Sequence, residues 1–229
     1  MGFLLRERAS TAVELMDLPD CDPHRLNNTY RQFAVINRTL SGWRRLYVRE
    51  LRPLLAEGPA SLLDIGSGGG DVAVMLARWA LRDGFTLYIT GIDPDPRAAS
   101  FAQKRPPVHG VQFRAAHSAD LVDEGRSYDV VISNHVLHHL AEDEVQQLLE
   151  HSEALAGRKA LHNDLRRSPA AFALFSVAAL PFRDSFIRTD GLTSIRRSYT
   201  PEELRAIAPA GWSVERSTGF HQVLSFRRN

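Results

Sequence analysis

SLLDIGSGGGD, residues 61–71, joins a short apolar run to a loop with almost no side chains and then to a helical pattern. Leu62, Leu63, Asp64 and Ile65 read as the end of a buried strand, and Gly66, Ser67, Gly68, Gly69 and Gly70 as the loop. Val72, Val74, Met75, Leu76 and Trp79 follow with the spacing of one helix face. Glycine suits such a loop because the chain turns sharply, often at positive φ, and because a ligand can approach backbone that lacks Cβ atoms. The helix start adds free N–H groups and the positive end of its dipole.

Asp64 distinguishes between ligands. A carboxylate two residues before the first glycine would repel a pyrophosphate at the helix start and attract an ammonium group. Further on, Phe85 to Ile92 alternates and ends in an acid, Asp93. That residue lies at the carboxyl end of the next expected strand, where two ribose hydroxyls could share one carboxylate. The spacing Asp64, Gly66, Gly68, Gly70 resembles the first motif of the class I S-adenosylmethionine-dependent methyltransferases. The likeness is strongest from Ala60 to Leu140 and weak before Ala60.

The resemblance implies an α/β fold: a Rossmann-like, seven-stranded, mostly parallel sheet with an antiparallel C-terminal hairpin and helices on both faces. Residues 1–59 are expected as an N-terminal helical cap, and 60–229 as the methyltransferase domain with a substrate-lid insertion around 168–198. It also implies S-adenosyl-L-methionine as cofactor, with S-adenosyl-L-homocysteine as product, and a loop lying under the methionine part. Asp64, Gly66, Ser67, Gly68, Gly70, Asp93 and Pro94 are then cofactor residues. Helices before the first strand commonly fold over the pocket in this family, which makes Tyr30, Asn37 and Arg38 candidates.

Composition agrees with one sizeable domain. The chain has 229 residues, 44% of them hydrophobic, enough for a core. Lys and Arg number 28 against 27 Asp and Glu, so the net charge of +1 gives no overall pull toward nucleic acid. The single cysteine, Cys21, cannot close an intrachain disulfide. The start MGFLLRERAS lacks the long apolar core of a signal peptide, and the run Ala170 to Phe182 is too short to cross a bilayer. A cytoplasmic chain without a membrane span is expected.

In chain order, residues 4 to 17 look helical. A second helix is expected from Asp22-Pro23, carrying Leu26, Tyr30, Phe33, Ile36, Leu40, Trp43 and Tyr47 on one face. These two helices could pair two chains as a homodimer. Val111 to Ala116 reads as the third strand. Methyltransferases of this class often have an acid there for the adenine amino group, but His117 stands in that slot. Asp120, three positions late, is the favoured contact, with His117 or Ser118 as alternatives.

Tyr128 to Ser133 reads as the fourth strand and leads into Asn134-His135-Val136-Leu137-His138-His139-Leu140, similar to the family's fourth motif. The end of that strand faces the transferred methyl in the family, so Asn134 and His135 become site candidates. Three histidines in five residues raise the question of metal. A zinc site wants converging ligands with carboxylate or cysteine support, similar strand-to-helix turns carry His residues in the family without metal, and no metal is expected. Arg158 to Asn163 reads as a fifth strand, which brings His162, Asn163 and Asp164 near the pocket. Thr200-Pro201-Glu202-Glu203 reads as a capping box opening a helix. Trp212 to Ser217 and Phe220 to Phe226 read as the closing hairpin.

Methyl transfer from a sulfonium is an in-line displacement in which the protein orients the acceptor and removes its proton. Histidine is the natural base for a phenol. His135 or His139 is expected in that role, with His162 in reserve and His138 structural. The apolar lid, with Phe172, Phe175, Phe182 and Phe186, suits a small aromatic or apolar acceptor. The pattern is similar to methyltransferases of quinone and natural-product pathways, and O-methylation of a phenolic, quinone or polyketide-like hydroxyl is expected. C- or N-methylation, a non-catalytic cofactor-binding subunit and a nicotinamide-dependent oxidoreductase are the alternatives.

Overall fold

Seven strands form one sheet in a computed structural model that describes residues 5–228. The strands are β1 (Ala60–Ile65), β2 (Leu87–Asp93), β3 (Val111–Ala115), β4 (Tyr128–Asn134), β5 (Ala156–Leu165), β6 (Trp212–Arg216) and β7 (His221–Arg227). Their order is β3-β2-β1-β4-β5-β7-β6, with the first five parallel and β7 antiparallel to both neighbours. β1 sits inside, with Asp64 level with Gly91 on one side and Ile132 on the other. Leu62 and Leu63 point to opposite faces, yet both are fully buried. Helices cover both faces of a parallel sheet, so its strands read as continuous apolar runs.

One face packs on α2 (Trp43–Leu46), a π-helical turn (Tyr47–Leu51), α3 (Arg52–Leu55) and α4 (Asp71–Arg82), through Trp43, Tyr47, Leu62, Leu76 and Trp79. The other packs on α7 (Glu142–Leu155) and α10 (Pro201–Ile207), through Leu63, Val131, Leu149 and Leu204. The capping box of α10 is present: Glu203 N–H donates to Thr200 Oγ1 at 3.2 Å and Thr200 N–H to Glu203 Oε2 at 2.8 Å. α5 (Pro96–Gln103), α6 (Ser118–Asp123), α8 (Pro169–Ala178) and α9 (Ile187–Arg197) complete the fold. No described helix is long and apolar enough to cross a membrane.

The N-terminal part departs from expectation twice. Within the helix anticipated over residues 4–17, residue 4 lies outside the described residues, Leu5 is 3₁₀, 6–14 form turns and extended chain, and Leu15–Asp17 make a 3₁₀ turn. This strap is held by tertiary partners rather than by its own ladder. Ala9 N–H donates to Arg196 O at 3.0 Å, Arg8 Nη2 to Leu140 O at 2.6 Å, and the Leu15 and Met16 amides to Asp190 at 3.0 and 2.9 Å. A short helix is marginal by itself, so such partners decide its conformation. The single helix anticipated from Asp22 to Tyr47 is broken. α1 (Pro23–Thr39), capped by Asp22, ends before Gly42, whose φ of +76° and contact with Thr218 exclude a side chain.

Gly70 caps α4 at φ +74°, and a Cβ there would meet the ring of Phe113. Gly70→Ala should therefore lower stability by about 1–3 kcal/mol from backbone strain and overpacking. Urea unfolding checks this, and an unchanged midpoint would contradict the loop geometry.

Candidate active site

The carboxyl ends of β1, β2, β4 and β5 open on one cavity of about 640 Å³. Ligands of open α/β sheets bind at this edge. At its floor, Gly66 and Gly68 turn the chain at φ +67° and +53°. The space above Gly68 is open, whereas a Cβ on Gly66 would strike Val136. Ser67 N–H donates to Ile92 O at 2.9 Å and Gly68 N–H to Asp93 Oδ2 at 2.8 Å, which fixes the loop against β2.

Asp64 is 1% exposed, and both its carboxylate oxygens are buried without a hydrogen-bond partner among the described residues. Burial, followed by the neighbouring Asp71 and Asp93, holds its pKa well above the usual carboxylate range. Asp71 and Asp93 are also raised by burial, although Asn37 Nδ2 donates to Asp71 at 2.9 Å and the amides of Gly68 and Asp95 to Asp93. Three carboxylates thus line one end of the cavity. That end is built for positive charge.

An amide network ties α1 to the strand ends. Asn37 Oδ1 accepts from Asn134 Nδ2 at 3.2 Å, and Asn134 Oδ1 accepts from Trp43 Nε1 at 2.8 Å and Asn163 Nδ2 at 3.0 Å. Immediately after Asn134, His135 adopts φ +59°, which costs about 1–3 kcal/mol in a non-glycine residue. Its Nε2 lies 2.9 Å from His221 Nε2. Burial, and then the neighbouring His221, pushes His135 down to about 3, and burial lowers His221 to about 4. Both rings are therefore neutral at pH 7, and one N–H lies between them.

His138 contrasts with this pair. Burial opposes its charge, but Asp164, whose Oδ1 lies 2.7 Å from Nδ1, and then Glu14 at 3.4 Å from Nε2 raise it to about 10. The remainder of the cavity is mostly apolar, with Phe33, Leu174, Phe175, Ile187, Ile195 and Phe220 on its walls beside Asp17 and Asp190.

Of the residues singled out from the sequence, Asp64, Gly66, Ser67, Gly68, Asp93, Pro94, Asn134, His135 and His139 line the cavity, as do Tyr30 and Asn37. Gly70 lies beneath it as the cap of α4. Arg38 is exposed on α1, away from the cavity. His117, Ser118 and Asp120 do not reach it either: Asp120 accepts from the His117 amide at 2.8 Å as the third residue of α6, and Ser118 Oγ lies 2.9 Å from His151 Nδ1. Asp120, expected at adenine, caps α6 through Oδ2. His162, expected as the reserve base, is fully buried, with Nδ1 2.7 Å from Ser133 Oγ and its ring stacked on Trp212, and it does not line the cavity. His221 and Glu14 were not anticipated, and no local pattern marks either one.

Residues 62–157 match the family described as Methyltransferase domain. The chain carries a methyltransferase domain. Over 171 residues it is 32% identical to the ubiquinone biosynthesis O-methyltransferase of Methylobacterium nodulans, covering 73% of this chain and 65% of the relative. Over 96 residues it is 34% identical to the protein of that name from Azorhizobium caulinodans, covering 41% and 34%. The chain thus spans 65% and 34% of the length of these curated relatives. Among solved structures, the magnesium protoporphyrin IX methyltransferase of Synechocystis PCC 6803 with bound SAH aligns at a TM-score of 0.55 and 19% identity, over 89% of this chain and 87% of that one. The plantazolicin methyltransferase BpumL in complex with SAH aligns at 0.61 and 13%, over 90% and 96%. The fold of this methyltransferase domain is therefore the Rossmann-like class I methyltransferase fold.

Asn134→Ala should cost about 2–3 kcal/mol, because the indole N–H of Trp43 and one amide N–H of Asn163 lose a buried acceptor. Denaturant unfolding measures this. A loss within a few tenths of a kcal/mol would show that the network carries no weight.

Proposed function

We propose that this chain transfers a methyl group from S-adenosyl-L-methionine to a hydroxyl of a small aromatic acceptor of phenolic or quinone-like type. The observation that carries the proposal is the unpartnered Asp64 carboxylate beneath the glycine loop. The cofactor's methionine part supplies an ammonium group that suits this acid, and its sulfonium adds positive charge beside Asp64, Asp71 and Asp93. Asp93, whose oxygens each accept one backbone N–H, retains lone pairs for ribose hydroxyls. The open space over Gly68 lets the ligand approach the backbone. When bound, the cofactor supplies the electrophilic methyl group.

The protein's share is orientation, exclusion of water and removal of one proton. The apolar walls and the strap of residues 8–18 favour a flat, weakly polar acceptor. His135 is the proposed base. Its ring is neutral, and the strained backbone with the His221 contact fixes its direction. As the new O–C bond forms, the hydroxyl proton becomes strongly acidic, so an imidazole held well below its ordinary range still accepts it. Residues 1–59 are proposed as the cap of the pocket. The names of the relatives, ubiquinone biosynthesis O-methyltransferases, support the acceptor class.

Calorimetric titration of the purified chain with S-adenosylmethionine, S-adenosylhomocysteine and NADH tests the cofactor. Binding of the first two and not the third is expected, with Asp93→Ala weakening it by tenfold or more. Folded protein that binds neither sulfur nucleoside overturns the proposal. With a phenolic acceptor that the chain methylates, His135→Gln should lower kcat by about 10²–10⁴-fold with cofactor affinity retained.

A further inference from the structure

The sequence places three histidines after β4 without the carboxylate support that a metal site requires. The fold supplies it from a distant segment. Glu14, on the N-terminal strap, lies with Oε1 3.4 Å from His138 Nε2 and Oε2 3.8 Å from His139 Nε2. One donor atom from each of the three residues falls within 4.8 Å of the others. Ligands at about 2.0–2.2 Å from a common ion are separated by about 3–4 Å, so only small side-chain adjustments are required. Glu14 and His138 are buried and His139 is half-buried.

The opposite edges of both rings carry the second observation. His138 Nδ1 lies 2.7 Å from Asp164 Oδ1, and His139 Nδ1 lies 3.3 Å from Asp17 Oδ2. Each imidazole thus has one nitrogen on a carboxylate and presents the other, Nε2, toward Glu14. Carboxylates behind the rings are the usual outer support of metal-bound histidines, because they fix the tautomer and raise ligand basicity. Glu14 is itself oriented by Ser194 Oγ at 2.8 Å.

We propose that Glu14, His138 and His139 bind a divalent transition-metal ion of the zinc type, with Asp164 and Asp17 holding the two rings. Two imidazoles and one carboxylate form the donor set of open, three-ligand zinc sites, and they favour zinc, cobalt or nickel over magnesium or calcium. The ion takes the place of the proton on His138 Nε2, which leaves to solvent, while Nδ1–H stays on Asp164. All three ligands line the cavity, so the open coordination position faces the space where an acceptor would lie. The ion would also tie the strap to the turn after β4. The site is independent of the cofactor assignment.

The test is titration of the chelator-treated full chain with Zn²⁺ and with Co²⁺, followed by calorimetry and by the visible spectrum of bound cobalt. One equivalent should bind, with a d–d band of a four- or five-coordinate ion, and excess Mg²⁺ should not displace it. Glu14→Gln and His139→Ala, each checked for unchanged circular dichroism, should weaken binding tenfold or more. Asp164→Asn should weaken it by about 10–100-fold, and exposed His117→Ala should leave it unchanged. Failure of the unaltered chain to bind one equivalent overturns the site, as does equal binding by Glu14→Gln and His139→Ala. S-adenosylhomocysteine binding by the metal-free chain is a separate measurement, so failure here and failure of the methyl-transfer reading can be told apart.

Discussion

An unpaired carboxylate, fixed inside a sheet, sets the terms for everything around it. Asp64 cannot leave its place because Leu63 and Ile65 on either side are buried, and β1 is paired along both edges with β2 and β4. Among the described residues neither of its oxygens has a hydrogen-bond partner, and the amide of Gly68 in the loop that follows is given to Asp93 instead. A buried charge without compensation is strongly disfavoured, so the free protein holds Asp64 toward its protonated form. A cationic ligand reverses that balance. Asp71 and Asp93 reinforce the effect by raising the cost of ionising Asp64 while no cation is present.

The rest of the cavity is organised by segments far apart in sequence. The buried amides of Asn37, Asn134 and Asn163 join α1, β4 and β5, and the strap, held on α9, brings Glu14, Met16 and Asp17 to the cavity wall. Between them stand histidines in two electrostatic states. His135 and His221 face one another and are neutral, whereas His138, set between Asp164 and Glu14, is charged. Residues three apart in one turn are thus driven in opposite directions by what the rest of the chain brings to them.

What was legible in the sequence follows from this division. The strand, glycine loop and helix around Asp64, the acid at Asp93 and the closing hairpin are local patterns, and each appears where its period and turn residues place it. The capping box at Thr200 is likewise local. The strap was misread as a helix because its conformation depends on Asp190, Arg196 and Leu140, none nearby in sequence. The family pattern alone points Asp120 to adenine, and does not show that the same side chain caps α6. His162 sits on a strand end near the pocket, but its ring points into the packing against Trp212. Glu14 and His221 reach the site only through tertiary structure, and no spacing rule could have found them.

The central claim is that Asp64 exchanges a proton for the ammonium group of a sulfur nucleoside. Calorimetry of S-adenosylhomocysteine binding at mildly acidic pH, in buffers of different ionisation enthalpy, tests it directly. Asp64 is raised above its ordinary value in the free protein; if the ammonium group ionises it, binding releases a proton and affinity falls as pH is lowered. The account predicts a heat that varies with the buffer, and an Asp64→Asn protein that binds more weakly and loses most of that dependence. Buffer-independent binding, equally tight in Asp64→Asn, would contradict it.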